Sequence, residues 1–277
     1  MKLLCGNRSV DLSSPVVMGI LTVTPDSCSD GGRFNRPDVA IRHAAEMLNA
    51  GAAFIDVGGE STRPGAAPVS IQEELDRVIP VVSAIAAELD VAISVDTSTP
   101  DVIREAAGAG AHLINDVRAL RREGALEAAA KTGLPVCLMH MQGDPDTMQN
   151  NPVYDDVMQE VRNFLGVQAA RAVAAGIAKE QILLDPGFGF GKTRIHNYTL
   201  LNRLEQINSL GYPLLTGLSR KRMIADVLNA DDDRDGASAA AAVVCAMKGA
   251  RIIRAHNVKA TWDALQVVRA TMDEGHE

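Results

Sequence analysis

Short runs of β-branched and apolar residues alternate along the chain with longer, Ala-rich stretches whose apolar positions recur at helical spacing. Eight such runs stand out: Val16 to Val23, Ala53 to Val57, Ala92 to Val95, Leu113 to Val117, Val136 to Met141, Ile182 to Leu184, Pro213 to Gly217 and Ile252 to Ala255. Between them, Pro37 to Asn49, Ile71 to Leu89 and Val153 to Ala175 read as amphipathic helices. Pro100, behind Ser98 and Thr99, reads as an early helix position after a hydroxyl cap. Strand and helix alternating eight times predicts a parallel sheet closed into a (β/α)8 TIM barrel rather than an open, doubly wound sheet.

Size and composition narrow this further. The 277 residues, 47% of them hydrophobic, suit one large core, and single barrels of this type commonly run to about 250 residues. No Pro/Ser-rich linker or compositional break marks a second domain. The chain therefore reads as one domain over residues 1–277, with residues 1–14 as a short N-terminal addition. A net charge of -8 gives no general field for nucleic acid or anionic lipid, so an anionic ligand must be met by a local cluster. No apolar run approaches a membrane span, and residues 1–10 lack the basic start and apolar core of a signal peptide; a cytoplasmic enzyme is expected. Cys5, Cys28, Cys137 and Cys245 stand far apart, which argues against a metal knuckle or a C-x-x-C redox pair. The acidic run Asp231 to Asp235 reads as a solvated loop.

Chemistry in such barrels belongs to the C-terminal ends of the strands and the loops beyond them. Here nearly every run ends in something reactive. Thr24-Pro25-Asp26-Ser27-Cys28 follows the first, and Gly58-Gly59-Glu60-Ser61-Thr62-Arg63-Pro64-Gly65 the second. Asp96 closes the third, Asn115-Asp116 the fourth, and His140 lies in the fifth. Asp185-Pro186-Gly187-Phe188-Gly189-Phe190-Gly191 closes the sixth, Ser219-Arg220-Lys221 the seventh and Arg254-Ala255-His256 the eighth. Carboxylates near several strand ends are costly to bury alone, so they are expected to converge on one ligand or on each other. The plain alternatives are strand-end carboxylates capping the next helix, a loop amide satisfying backbone, and surface ion pairs for the arginines.

In order and spacing, G-I-L-T-V-T-P-D-S, D-V-G-G-E-S-T-R-P-G, S-V-D-T, I-N-D, L-D-P-G-F-G-F-G-K, S-R-K and R-A-H resemble the dihydropteroate synthase family over essentially the whole chain. The resemblance implies a transferase of folate biosynthesis. It would condense 6-hydroxymethyl-7,8-dihydropterin pyrophosphate with p-aminobenzoate, giving 7,8-dihydropteroate and pyrophosphate. Carried over by position, Asp96, Asn115, Asp185 and Lys221 would bind the pterin, and Thr62, Arg63, Arg254 and His256 the pyrophosphate. Thr62, Pro64, Phe190, Ser219 and Cys28 would line the p-aminobenzoate pocket, where sulfonamide inhibitors also bind. Asp96, Lys221, Arg254 and His256 would do the catalytic work, assisted by Mg²⁺. A homodimer through the later helices is implied, with the Ala237 to Met247 stretch and the helix around Trp262 as its apolar face.

Three positions depart from the family's usual pattern. Thr22 stands where an Asn normally binds the metal, which predicts weaker metal dependence. Cys28 replaces an aromatic residue in the aminobenzoate pocket, which predicts altered sulfonamide affinity. Asn257 stands where the family often has Asp. Two other functions compete: a methyltransferase-type pterin barrel, which lacks the E-S-T-R-P-G and R-A-H set, and a catalytically silent pterin-binding protein. A scattered Ser-His-Asp set built on His140 has no supporting G-x-S-x-G turn.

Overall fold

The structure, a computed structural model, describes residues 1–24, 37–61, 68–143, 147–229 and 233–275. Eight parallel strands close into a barrel: β3 (Val16–Thr22), β4 (Ala52–Gly58), β5 (Ala92–Asp96), β6 (Leu113–Asp116), β7 (Val136–Met139), β8 (Ile182–Asp185), β9 (Leu214–Thr216) and β10 (Ala250–Ala255). Each pairs with its sequence neighbours, and β10 closes on β3 with Arg254 beside Met18. This is the (β/α)8 architecture that the alternation of runs implies.

The side-chain period of two in these strands decides what fills the barrel. Met18, Phe54, Ala92, Leu113, Cys137, Leu183, Leu215 and Ile252 form one buried apolar cluster across the barrel interior. Intervening residues such as Val17, Ile55, Ile93, Ile114, Val136, Leu184 and Ile253 belong to a second cluster with the surrounding helices. Two positions on from the inner apolar tier, toward the C-terminal ends, stand Asp56, Ser94, Asn115, Met139, Asp185 and Arg254. The sequence thus places an apolar floor under a mostly polar tier.

The first residues are a built part of the molecule. An antiparallel hairpin, β1 (Lys2–Cys5) with β2 (Arg8–Asp11), carries Leu3 and Cys5 into the inner cluster, joined by Leu12. These residues stopper the N-terminal end of the barrel with apolar surface, leaving the C-terminal end for ligands.

The outer helices include α1 (Pro37–Asn49), α2 (Ile71–Glu88), α3 (Pro100–Ala109), α4 (Ala125–Thr132), α5 (Val157–Ala174) and α6 (Arg194–Asn202). The short α7 (Glu205–Asn208) and α8 (Arg222–Ala225) precede α9 (Arg234–Met247) and α10 (Val258–Met272). The helix read from Val153 starts later, because Asp156 caps it by accepting the Gln159 amide. Thr99 is the residue before α3 but makes no side-chain cap; its hydroxyl is bonded to Glu74. Asp233 and Asp235 are not simply solvated: Asp233 caps α9 and Asp235 binds Arg220 and Asn257. No helix among the described residues is long and apolar enough to cross a membrane.

Candidate active site

The polar tier is knitted together around Asp56, the residue above Phe54 on β4. Its carboxylate is fully buried and accepts from Ser94 Oγ at 2.5 Å, Arg254 Nε at 2.6 Å and Asn115 Nδ2 at 3.3 Å. Arg254 Nη2 also donates to Asp96 Oδ2 at 3.0 Å, so one guanidinium from β10 spans carboxylates on β4 and β5.

Such a cluster survives burial because its charges are compensated. Desolvation raises the Asp96 pKa to about 7 against the pull of Arg254, with Asp56, Asp116 and Glu60 adding to the rise. Burial opposes the Arg254 charge, yet Asp56, Asp96 and Asp185 outweigh it and the guanidinium is held more firmly protonated. Asp185 is raised by burial and restrained by Lys221, while Lys221 is lowered by burial to about 8 and supported chiefly by Asp185. Asp185 and Arg254 each stand two residues on from the inner apolar tier, near the C-terminal ends of β8 and β10, so both lie at the same mouth.

Around this centre the strand-end loops supply the other expected groups. Lys221 Nζ donates to the Phe188 carbonyl and lies 4.6 Å from the Phe190 ring centroid. Asp185 Oδ1 accepts from the Gly187 amide at 2.7 Å, which turns the chain sharply after β8. Gly187 has φ +70°, and a Cβ on it would fall 1.9 Å from the His140 carbonyl oxygen, so only glycine fits. Ser219 Oγ lies 3.0 Å from His256 Nδ1 and also accepts the His256 amide, tying the β9 loop to the β10 loop. Arg220, at φ +58°, is fixed by paired bonds to Asp235, which also accepts from Asn257 Nδ2 at 3.1 Å.

Asp96, Asn115, Asp185, Phe190, Ser219, Lys221, Arg254 and His256 therefore all belong to the C-terminal face. Thr22 is exposed at that end of β3. Thr62, Arg63, Pro64 and Cys28 lie outside the described residues. Sequence reasoning missed Asp56 because it sits inside its run rather than after it. Its signal was the period of two in Phe54-Ile55-Asp56, which puts the carboxylate on the same face as a core aromatic. Also missed was a ring of supports: Glu60 binds Arg118 at 3.1 Å, and Arg118 Nη1 reaches Ser98 at 3.0 Å. Ser98 in turn donates to Asp116, and Glu74 accepts from Thr97 and Thr99. His140 is buried beside Lys192, packed between the Tyr154 and Phe164 rings.

A family model described as pterin-binding enzyme matches residues 18–256, a span containing nearly all of the barrel's strand residues. The chain belongs to that family. Its relatives narrow the branch to dihydropteroate synthase. The dihydropteroate synthase of Escherichia coli strain K12 is 61% identical over 273 residues, covering 98% of this chain and 97% of that one. The Haemophilus influenzae enzyme of the same name is 53% identical over 272 residues, with 98% and 99% coverage. Among solved structures, Yersinia pestis dihydropteroate synthase in a sulfonamide drug complex superposes with a TM-score of 0.93 at 58% identity, covering 99% and 100% of the two chains. The Xanthomonas albilineans dihydropteroate synthase in complex with 7,8-dihydropteroate gives 0.90 at 44% identity, with 98% and 99% coverage.

Membership in the dihydropteroate synthases makes the chain a transferase and sets aside the methyltransferase-type alternative.

Proposed function

We propose that the C-terminal mouth condenses 6-hydroxymethyl-7,8-dihydropterin pyrophosphate with p-aminobenzoate, releasing pyrophosphate. The observation that carries the reading is the single cluster in which Asp56, Asp96, Asn115, Asp185, Lys221 and Arg254 converge from different strands. In this reading Asp185, Asn115 and Lys221 hold the pyrimidine edge of the pterin, and Asp96 addresses the ring from β5. Arg254 and His256, with Thr62 and Arg63, take the diphosphate; Phe190, Ser219, Thr62, Pro64, Cys28 and the Lys221 stem border the aminobenzoate. Sulfonamides compete for that same border.

The step is a displacement at the methylene carbon beside the ring. The carbon–oxygen bond to diphosphate breaks, the aniline nitrogen forms the new carbon–nitrogen bond, and that nitrogen then loses a proton. The pterin ring shares the positive charge that develops at the methylene, and a carboxylate such as Asp96 lowers its energy. Arg254 is aimed by Asp56 through Nε, and its remaining donors suit phosphate oxygens. No protein nucleophile is needed, because the aminobenzoate brings its own amine.

Among the described residues no three His, Cys, Asp or Glu side chains group to hold a metal ion. Thr22, at the mouth end of β3, would offer Mg²⁺ a single protein oxygen beside the diphosphate. When bound there the ion would neutralise charge on the leaving group. We further propose a homodimer through α9 and α10, supported by the exposed Val244, Met247 and Val267, and a cytoplasmic location, supported by the buried free thiols of Cys5, Cys137 and Cys245. Light scattering tests the dimer.

A coupled pyrophosphate-release assay with both substrates tests the reaction. Wild type is expected to release pyrophosphate only when p-aminobenzoate is present, and Asp96→Asn to lose most of the rate. Pterin binding without any dihydropteroate formation would instead leave a silent pterin-binding protein.

A further inference from the structure

Among the described residues, the most deeply buried cation outside the substrate-facing set is Lys192, at the end of the loop that follows β8. Only 3% of it is exposed, and its polar contacts are all to uncharged acceptors. Its Nζ lies 2.8 Å from His140 Nδ1, 2.9 Å from the Gly187 carbonyl oxygen, 3.0 Å from that of Phe190 and 3.4 Å from that of His140. An ammonium offers only donors, and this cage offers acceptors. Three of the contacts are fixed backbone dipoles that favour the charged amine, as the nearby Asp185 does, against the burial that pulls the Lys192 pKa well down; donation to the fourth, His140 Nδ1, goes with a neutral imidazole carrying its proton on Nε2.

We infer that Lys192 is a positioning residue that clamps the Gly187–Gly191 loop from below, and through it sets the Phe190 wall of the p-aminobenzoate pocket. The inference rests on the proposed reaction for the identity of that pocket. The clamp joins the two ends of the turn, since Gly187 and Phe190 carbonyls meet on one nitrogen. Neighbouring bonds close the rest: Asn197 Oδ1 accepts the Gly189 amide at 2.7 Å, and Tyr154 donates to the Gly191 carbonyl at 2.7 Å. Gly191, at φ +62°, would place a Cβ 2.4 Å from the Gln142 carbonyl oxygen, so the loop is pressed against the segment after β7 as well. His140 is held between the Phe164 ring, 4.9 Å away edge-on, and Tyr154. Burial and the Lys192 charge lower its pKa to about 2, consistent with an acceptor.

Asp185 meets the clamp through the Gly187 amide at its Oδ1 and through the charge of Lys192, but its backbone is anchored in the strand. It stays in β8 register with Met139, and its own carbonyl accepts the His140 amide at 3.0 Å. Loss of the clamp is therefore expected to move Phe190 more than Asp185, which separates the two substrates.

The test is steady-state kinetics on Lys192→Met, which keeps the stem and deletes the ammonium. The KM for p-aminobenzoate is expected to rise about tenfold while the KM for the pterin pyrophosphate changes by less than about twofold. A folded variant with both KM values unchanged, with both raised alike, or with only kcat lowered would overturn the inference. Should the variant not fold, nitrogen NMR of His140 in the wild-type protein decides: a neutral ring protonated on Nε2 supports the clamp, and a proton on Nδ1 overturns it. Wild type that makes no dihydropteroate would sink the proposed reaction, and the His140 tautomer would then test the clamp by itself.

Discussion

Replacing Asp56 by Asn tests whether the guanidinium at the mouth is aimed by the carboxylate beneath it. The shape is preserved, but the charge facing Arg254 Nε at 2.6 Å is removed and an amide is offered to Ser94 and Asn115, both already donors to this position. With about 4 Å between charge centres and an effective dielectric near 20, the lost attraction is about 4 kcal/mol. Asp96 still pairs with Arg254, and one buried charge no longer has to be desolvated, so a net loss of about 2–3 kcal/mol is expected. For a domain of this size that corresponds to roughly 5–10 °C in Tm. A comparable share lost in the transition state would lower kcat/KM about a hundredfold. Calorimetry and pyrophosphate release read the two effects, and a double-mutant cycle with Arg254→Met isolates the pair. Because Asp56 also helps raise Asp96, the substitution is expected to lower the Asp96 pKa. A variant with wild-type Tm and kcat/KM, or a coupling energy near zero, would refute the reasoning.

Asn257 caps α10 by accepting the Ala260 amide at 3.0 Å and donates to Asp235 at 3.1 Å; Asn257→Asp keeps the cap but sets two carboxylates together, so Tm should fall by about 2–4 °C per kcal/mol lost, and an unchanged Tm would contradict the contact. Thr22→Asn is expected to lower the Mg²⁺ concentration giving half-maximal rate, and superimposable titration curves would reject a metal role for this position. The ligand-free protein should lose stability as pH rises from about 4 through 7: the raised Asp96 pKa gives a contribution fully present below the unfolded carboxylate pKa and lost through about 7. Lys221, lowered to about 8, acts oppositely, so stability should recover between about 8 and 10.5; Asp96→Asn should flatten the first limb, and melting curves with equal slopes in both proteins would count against the assignment.

The barrel was readable because parallel strands covered on both faces need short continuous apolar runs, and the helices between them need a helical stripe. Val16 to Val23 and Pro37 to Asn49 became β3 and α1 with little change at their ends. The hairpin at Lys2–Cys5 and Arg8–Asp11 was not legible, since its short strands alternate too briefly for a periodic signal. Among site residues, Asp96 and Asp185 announced themselves by closing their runs. Asp56 did not, because it sits inside its run; the period of two from Phe54 hints at its face, and its partners Ser94, Asn115 and Arg254, all distant in sequence, show what it does there. Lys192 was hidden for a similar reason: following Gly191, it looks like a solvated loop lysine until the His140 segment folds over it.

The most direct measurement is a crystal structure of this protein with 6-hydroxymethyl-7,8-dihydropterin pyrophosphate bound. The pterin ring is expected on Asp185, Asn115 and Lys221, with its diphosphate on Arg254 and His256 while Arg254 Nε stays on Asp56. A pterin seated elsewhere, or a diphosphate that leaves Arg254 untouched, would contradict one shared mouth for the acidic and cationic groups.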